Sequence, residues 1–208
     1  MQEISQEILT GFQQMTLLEA IAVFFGVLSV LCSRQNSVWV YPTGLISTGI
    51  YTYMLAQQHF KLYAEAALNA YYFIMSVYGW YYWMKKDTTQ HVTSITRVNR
   101  KELITAIAIA LLGWGIIYLL LRNFSNSDVP AIDAFVSATA CSGMWLLAKR
   151  KIENWIFLNI SNFVAVPLLF HKHLALTATL TIFLFIVAVT GYFHWLKLYR
   201  AQLNETRS

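Results

Sequence analysis

Gly79-Trp80-Tyr81-Tyr82-Trp83 and Gly191-Tyr192-Phe193-His194-Trp195 close the third and the seventh of seven long apolar blocks in this chain. Each sets a glycine four residues ahead of a tryptophan. The first block opens with Leu18-Glu19-Ala20 and the fifth with Ile132-Asp133-Ala134. The second and the sixth each open near a tryptophan, Trp39 and Trp155. Three blocks thus recur in order, with the fourth between the two sets. Three spans are an odd number, so two copies joined directly would be inverted; one intervening span restores the orientation. The pattern predicts an all-α integral membrane protein with seven transmembrane helices in a 3+1+3 parallel-repeat arrangement.

The blocks run over residues 16–32, 38–56, 63–84, 103–121, 129–148, 155–170 and 174–196. Each is about the length a helix needs to cross hydrocarbon, roughly 20 residues. They are continuously apolar, without the period-2 alternation of barrel strands, so helices are expected. One transporter domain over 1–208 follows, with repeat one at 16–84, a linker helix at 102–121 and repeat two at 129–196. The composition agrees. Of 208 residues, 57% are hydrophobic and only 12% charged, about half the roughly 25% of a soluble globular chain. Mean hydropathy is +0.49. These values exclude disorder and an ordinary soluble enzyme.

Net charge is +5, and its distribution sets orientation rather than nucleic-acid binding. With loops alternating sides, 12 of the 15 Lys and Arg fall on one side. They include Arg34, Lys85, Arg97, Arg100 and the Lys149-Arg150-Lys151 run. Lys61, Arg122 and Lys172 fall on the other. The positive-inside rule then places the N-terminus outside and the C-terminus in the cytoplasm. The segment 2–13 puts Ile4, Ile8 and Phe12 at helical spacing behind Glu3 and Glu7. It is expected to be a short interfacial helix rather than a secretion signal. The stretch 85–99 has no Gly, no Pro and no apolar core of its own, and is expected to be a cytoplasmic linker. Cys32 and Cys141 sit inside apolar blocks and are expected to pack there rather than pair.

A polar side chain in hydrocarbon is costly unless it is paired or faces a cavity. On the third block Glu65, Asn69, Tyr72 and Ser76 form one helical stripe. On the sixth, Trp155, Asn159 and Asn162 form another, with Leu158 beside them. Two such stripes offer amides next to aromatic faces. Amides read hydroxyls and carboxamides, and aromatic faces attract cationic rings, so a small, flat, polar ligand is expected. Interhelical hydrogen bonding is the alternative role for each residue.

Pro42, in Tyr41-Pro42-Thr43-Gly44, is expected to loosen the second span near its cytoplasmic start, giving a candidate gate with Trp39 and Tyr41. Glu19 and Asp133, at matching repeat positions, are candidates for a proton relay or for interfacial solvation. His171 and His173 lack a third ligand in sequence, so no metal site is expected. No phosphate loop, nucleophile elbow or HExxH motif is present; neither a cofactor nor an enzyme is indicated.

The stretch KRKIENWIFLNISNFVAV, residues 149–166, is similar to the sixth-span signature of the PnuC family of bacterial nicotinamide riboside transporters. That signature is a WxxWxxxN pattern preceded by a basic loop. Trp155 matches its first tryptophan and Asn162 its asparagine; Leu158 stands where the second tryptophan is expected. Residues 61–83 resemble the family's third span, with Asn69 where relatives can carry Gln. The resemblance implies a SWEET-related fold, a homotrimer in the bacterial inner membrane, and facilitated diffusion of an unphosphorylated vitamin trapped by a separate cytosolic kinase. It carries ligand contact to Trp155, Asn162 and Asn69. Because Leu158 removes an aromatic wall, thiamine, another cationic heteroaromatic, stands as the competing substrate, with riboflavin behind it.

Overall fold

The computed structural model describes residues 2–57, 63–85, 94–125 and 127–205, without the side chains of 2–3, 56–57 and 63–66. Eight helices make up the fold among the described residues. They are α1 (Gln2–Gln14), α2 (Leu17–Arg34), α3 (Val40–Gln57), α4 (Tyr63–Met84), α5 (Arg100–Phe124), α6 (Pro130–Ala148), α7 (Asn154–His171) and α8 (Ala175–Glu205). Helices α2 to α8 coincide with the seven apolar blocks, and α1 with the amphipathic N-terminal segment. Among the described residues there is no strand, only one isolated bridge between Thr96 and Lys151. Among the described residues five helices, α2, α5, α6, α7 and α8, are long and apolar enough to cross a membrane.

Local chemistry explains the boundaries. Thr16 caps α2 by accepting from the Glu19 amide at 3.2 Å. Asn99 and Glu102 form a reciprocal capping box at the start of α5, which satisfies two of its orphan amides. Pro130 opens α6, where a missing N–H costs nothing. Helix α3 is rich in hydroxyls, but Thr43, Thr48 and Thr52 each donate to the carbonyl four residues back, at 2.6 to 2.8 Å. Such bonds let a threonine-rich helix lie in apolar surroundings.

Helix α3 packs between α2 and α4, and α7 between α6 and α8. Contacts of α4 with α6 and of α2 with α8 join these two sets. Helix α5 covers α6 and touches α4, and α1 lies on α8. Leu111, Leu112, Ile116 and Leu119 on α5 remain exposed, as a lipid-facing helix requires.

Two expectations are corrected here. Residues 94–99 are not a free linker. Ile95 is buried in the main apolar cluster with Trp83, Ile152 and Trp195. The Thr96 amide donates to the Arg150 carbonyl at 3.2 Å, and the Ile152 amide to the Thr96 carbonyl at 3.1 Å. Glu153 accepts from the Val98 amide at 3.0 Å. One isoleucine in a polar stretch is enough to dock it, a signal too small for a hydropathy reading. Pro42 is the third residue of α3, inside its first turn. No helical hydrogen bond is lost there, so the proline itself does not loosen the helix.

Candidate functional site

A cavity of about 230 Å³ lies between α2, α3, α4, α6 and α7. Helix periodicity builds its walls. Gly26, Ser29 and Ser33 recur along one face of α2, and Tyr41, Gly44, Ser47 and Thr48 along one face of α3. Tyr72 and Ser76 come from α4, Met144 and Leu147 from α6, Trp155 and Leu158 from α7. The wall from α2, α3 and α4 is thus rich in hydroxyls, while that from α6 and α7 is aromatic and aliphatic. None of the lining residues is charged.

One end of the cavity is shut by aromatic rings. Tyr41 meets Trp83 edge-on at 5.2 Å between centroids. Trp195 lies 5.8 Å from Trp83 and 5.7 Å from Trp155. The glycines of the two repeated motifs make this possible. A Cβ at Gly79 would come within 2.5 Å of the Tyr41 hydroxyl oxygen, and one at Gly191 within 2.8 Å of the Trp155 ring. Each ring therefore rests directly on the backbone of the neighbouring helix. The tryptophan that follows each glycine then reaches across. Trp83 Nε1 donates to the Leu147 carbonyl at 3.2 Å, and Trp195 Nε1 to the Ser33 carbonyl at 2.9 Å. Leu147 and Ser33 are the penultimate residues of α6 and α2.

Arg150 holds this end together. Its guanidinium sits 4.3 Å from the centroid of the Trp83 ring. Its Nε donates to Asn36 Oδ1 at 2.9 Å, across 114 residues of chain. Burial pulls its pKa below the ordinary arginine value, and the nearby Tyr41 partly opposes this. Neither the Arg150–Asn36 tie nor the Trp195 bond to Ser33 was legible in the sequence. The 114-residue spacing was present in the Glu19 and Asp133 match, and applied to Asn36 it leads to Arg150.

That spacing also corrects the repeat. Tyr41, not Trp39, is the counterpart of Trp155. Tyr41 and Trp155 are both buried and both rest on a motif glycine, whereas Trp39 is 64% exposed. Of the residues singled out in sequence, Trp155, Leu158, Tyr72, Ser76 and Tyr41 come together at the cavity. Asn159 is half-buried and its amide donates to the Trp155 carbonyl at 2.8 Å. Asn69 and Asn162 are half-buried and lie outside this lining. The Glu65 side chain falls outside the described residues. Asp133 pairs with Lys172, and His173 with Glu7 at 2.9 Å. The hydroxyl wall of Ser29, Ser47 and Thr48 was missed. Those residues sit in the first two blocks, where no amide or carboxylate drew attention.

An all-helical chain with apolar spans and an uncharged, polar-aromatic cavity between two helix sets is a membrane protein built to hold a small solute. Residues 16–197 match the family model of the nicotinamide mononucleotide transporter, and the chain belongs to that family. It is 23% identical to the nicotinamide riboside transporter PnuC of Neisseria mucosa, over 96% of this chain and 80% of that protein. It is 20% identical to the transporter of the same name from Escherichia coli, over 90% and 88%. The crystal structure of a vitamin B3 transporter PnuC shares its fold, with a TM-score of 0.69 and 21% identity over 96% of this chain and 89% of that one.

Proposed function

We propose that this protein carries nicotinamide riboside across the bacterial inner membrane by facilitated diffusion, with the α2–α4/α6–α7 cavity as its substrate site. The observation that carries the reading is the uncharged lining that combines Trp155, Tyr41 and Tyr72 with serine and threonine hydroxyls. Aromatic faces suit a cationic pyridinium ring, and hydroxyls suit a ribose. A phosphate ester carries about −1.5 to −2 charges and would find no cation at these walls, which favours the riboside over the mononucleotide. The volume lies below the usual ~300 to 1,000 Å³ of ligand pockets, in keeping with a vitamin-sized solute. The names of the two PnuC relatives support the same substrate.

In this reading the chain has seven spans in a 3+1+3 parallel arrangement, with α5 as the connector. The recurrence of contacts at a spacing of 114 residues over the first two helices and the turn of each set, and of 112 at the glycine–tryptophan motif of the third, supports it. The N-terminus lies outside and the C-terminus in the cytoplasm, as the clustering of basic residues indicates. Trp155, Leu158, Tyr72, Ser76 and Tyr41 touch substrate directly. Asn159, Asn162, Asn69 and Glu65 complete the site when its walls close on the ligand. The Tyr41–Trp83–Trp195 cluster and the Arg150–Asn36 tie form the inner gate, so release requires the α2–α3 and α6–α7 turns to part. Chains assemble as homotrimers, and a separate cytosolic kinase traps the vitamin by phosphorylation.

Leu158 keeps thiamine as a second reading, since it lines the cavity where an aromatic wall is expected. Tryptophan-fluorescence titration of the purified protein decides between them. Saturable quenching by nicotinamide riboside, with none by the mononucleotide or thiamine, is the expected result. Saturation by thiamine alone would transfer the site to that vitamin, and saturation by the mononucleotide would defeat the charge argument.

A further inference from the structure

We infer that Ser47 is a specificity-determining contact of this site, donating its hydroxyl proton to a sugar hydroxyl of the ligand. The inference rests on the substrate reading above and assigns a residue to one part of that substrate. Ser47 lines the cavity while only 6% exposed. Three of the hydroxyls around it are engaged, and Ser33 Oγ, though unpartnered, is sealed from the cavity. Ser29 donates to the Val40 carbonyl at 2.7 Å, Thr48 to Gly44 at 2.8 Å and Ser76 to Tyr72 at 2.8 Å. Among the described residues the Ser47 hydroxyl has no such partner. Serines in helices ordinarily return the proton to the carbonyl four residues back. A buried hydroxyl left without a partner is destabilising, unless the space beside it is meant to be filled.

The counterpart of Ser47 at the 114-residue spacing is Ser161, on α7. Ser161 donates to the Val136 carbonyl of α6 at 2.8 Å, so its hydroxyl fastens two helices. The same residue type at the same place in the frame is thus a structural fastener in one set and unengaged at the cavity in the other. Gly26 keeps it accessible. A Cβ at 26 would stand 3.0 Å from Ser47 Oγ, a contact that would turn the hydroxyl aside. The ligand group must be neutral, because the walls hold no charge, and must accept a proton from a hydroxyl. With the ring against the aromatic wall, a ribose hydroxyl meets the wall that carries Ser47.

The experiment compares nicotinamide riboside with its 2′,3′-dideoxy analogue by fluorescence titration. Ser47→Ala and Ser47→Cys should each weaken riboside binding about five- to tenfold, the worth of one neutral hydrogen bond. Ser47→Thr, which keeps the hydroxyl, should stay near the wild-type affinity. Ser47→Cys keeps the volume and covers the case that the alanine variant misfolds. Against the dideoxy analogue, wild type and Ser47→Cys should bind alike, because the partner hydroxyl is gone. Ser161→Ala should lower the melting temperature and leave riboside affinity unchanged. Undiminished riboside binding by the alanine and cysteine variants, or an equal loss against both ligands, overturns the role of Ser47 and leaves the cavity reading intact. Failure of the wild-type protein to bind the riboside overturns both.

Discussion

The turn after α2 and the turn after α6 share a backbone and differ in chemistry. Each places the second residue beyond its helix at positive φ, 56° for Asn36 and 57° for Arg150. Asparagine adopts that conformation readily, whereas arginine does so at a cost. Arg150 is held there by what its side chain gains: the Trp83 face, the Asn36 side chain and the Thr96 amide on its own carbonyl. Neighbouring pairs diverge in the same way. Gly44 is set against Ser29 in one helix set, while Leu158 is set against Gly143 in the other. The frame is duplicated and the side chains are divided between its copies. The frame thus has two similar turns, and the cavity beside them has unlike walls.

The glycines under the two rings should show the largest effects. A methyl group at position 79 would sit within 2.5 Å of Tyr41, closer than one at 191 would sit to Trp155. Both rings are fully buried in a tryptophan cluster and have nowhere to retreat. Gly79→Ala should therefore cost about 3 kcal/mol, the upper end for overpacking a well-filled core. Gly191→Ala should cost about half of that by the same reasoning. Melting curves of the purified variants, followed by tryptophan emission, check both. Equal losses would mean that the two ring-on-glycine contacts are interchangeable; no loss at 79 would mean that Tyr41 is not pinned there.

A smaller loss should follow from changing the tie between the turns. Arg150→Lys keeps the charge but gives up the flat stack on Trp83 and the directed bond to Asn36. A loss of about 1–2 kcal/mol is expected from the cation–π contact and a charge-assisted hydrogen bond together. Asn36→Gly suits the positive φ and removes only the acceptor side chain, so it should cost less, about 1 kcal/mol. Combining them should cost clearly less than the sum, because both remove the same bond. Strict additivity in that cycle would show that the two turns are not coupled through these residues. If the tie is part of the inner gate, either variant should also raise the rate of riboside release in a vesicle flux assay.

The helices were legible in the sequence because lipid solvation demands long apolar runs; their ends agree within three residues except for α8, which continues past the apolar block at 196 through a polar stretch to Glu205. The motif glycines were legible as a repeat, though not their purpose, since a ring seated on a glycine leaves no mark beyond the glycine itself. Trp155, Tyr72 and Ser76 were found because polar or aromatic residues in apolar blocks stand out against their surroundings. Ser29, Ser47 and Gly26 were not, because small residues in a span read equally well as helix packing. Ile95 and Arg150 were hidden for another reason: both lie in polar loops, where one buried residue looks like any other. Trp39 misled because tryptophan content was matched, when the register of the first two helices of each set is 114 residues and pairs Tyr41 with Trp155.

The smallest effects, and the finest test of the duplication, lie in the two crossing tryptophans. Trp83→Phe and Trp195→Phe each keep an aromatic ring in the cluster and remove one indole N–H. The Leu147 carbonyl, which loses the Trp83 bond, still faces the Tyr41 hydroxyl at 3.5 Å. At the other crossing, the counterpart of Tyr41 is Trp155, whose indole N–H is buried without a partner among the described residues, and none of those residues places a second side-chain donor on the Ser33 carbonyl beside Trp195. Trp83→Phe should therefore cost about 0.5 kcal/mol and Trp195→Phe about 1 kcal/mol, within the range for one neutral hydrogen bond. Chemical melting of the two variants side by side, each against wild type, measures the difference directly. A reversed order would mean that Tyr41 does not compensate and that the asymmetry between the two crossings lies in packing rather than in hydrogen bonding. The expected order would make Tyr41 both a wall of the cavity and the reserve donor at its closed end.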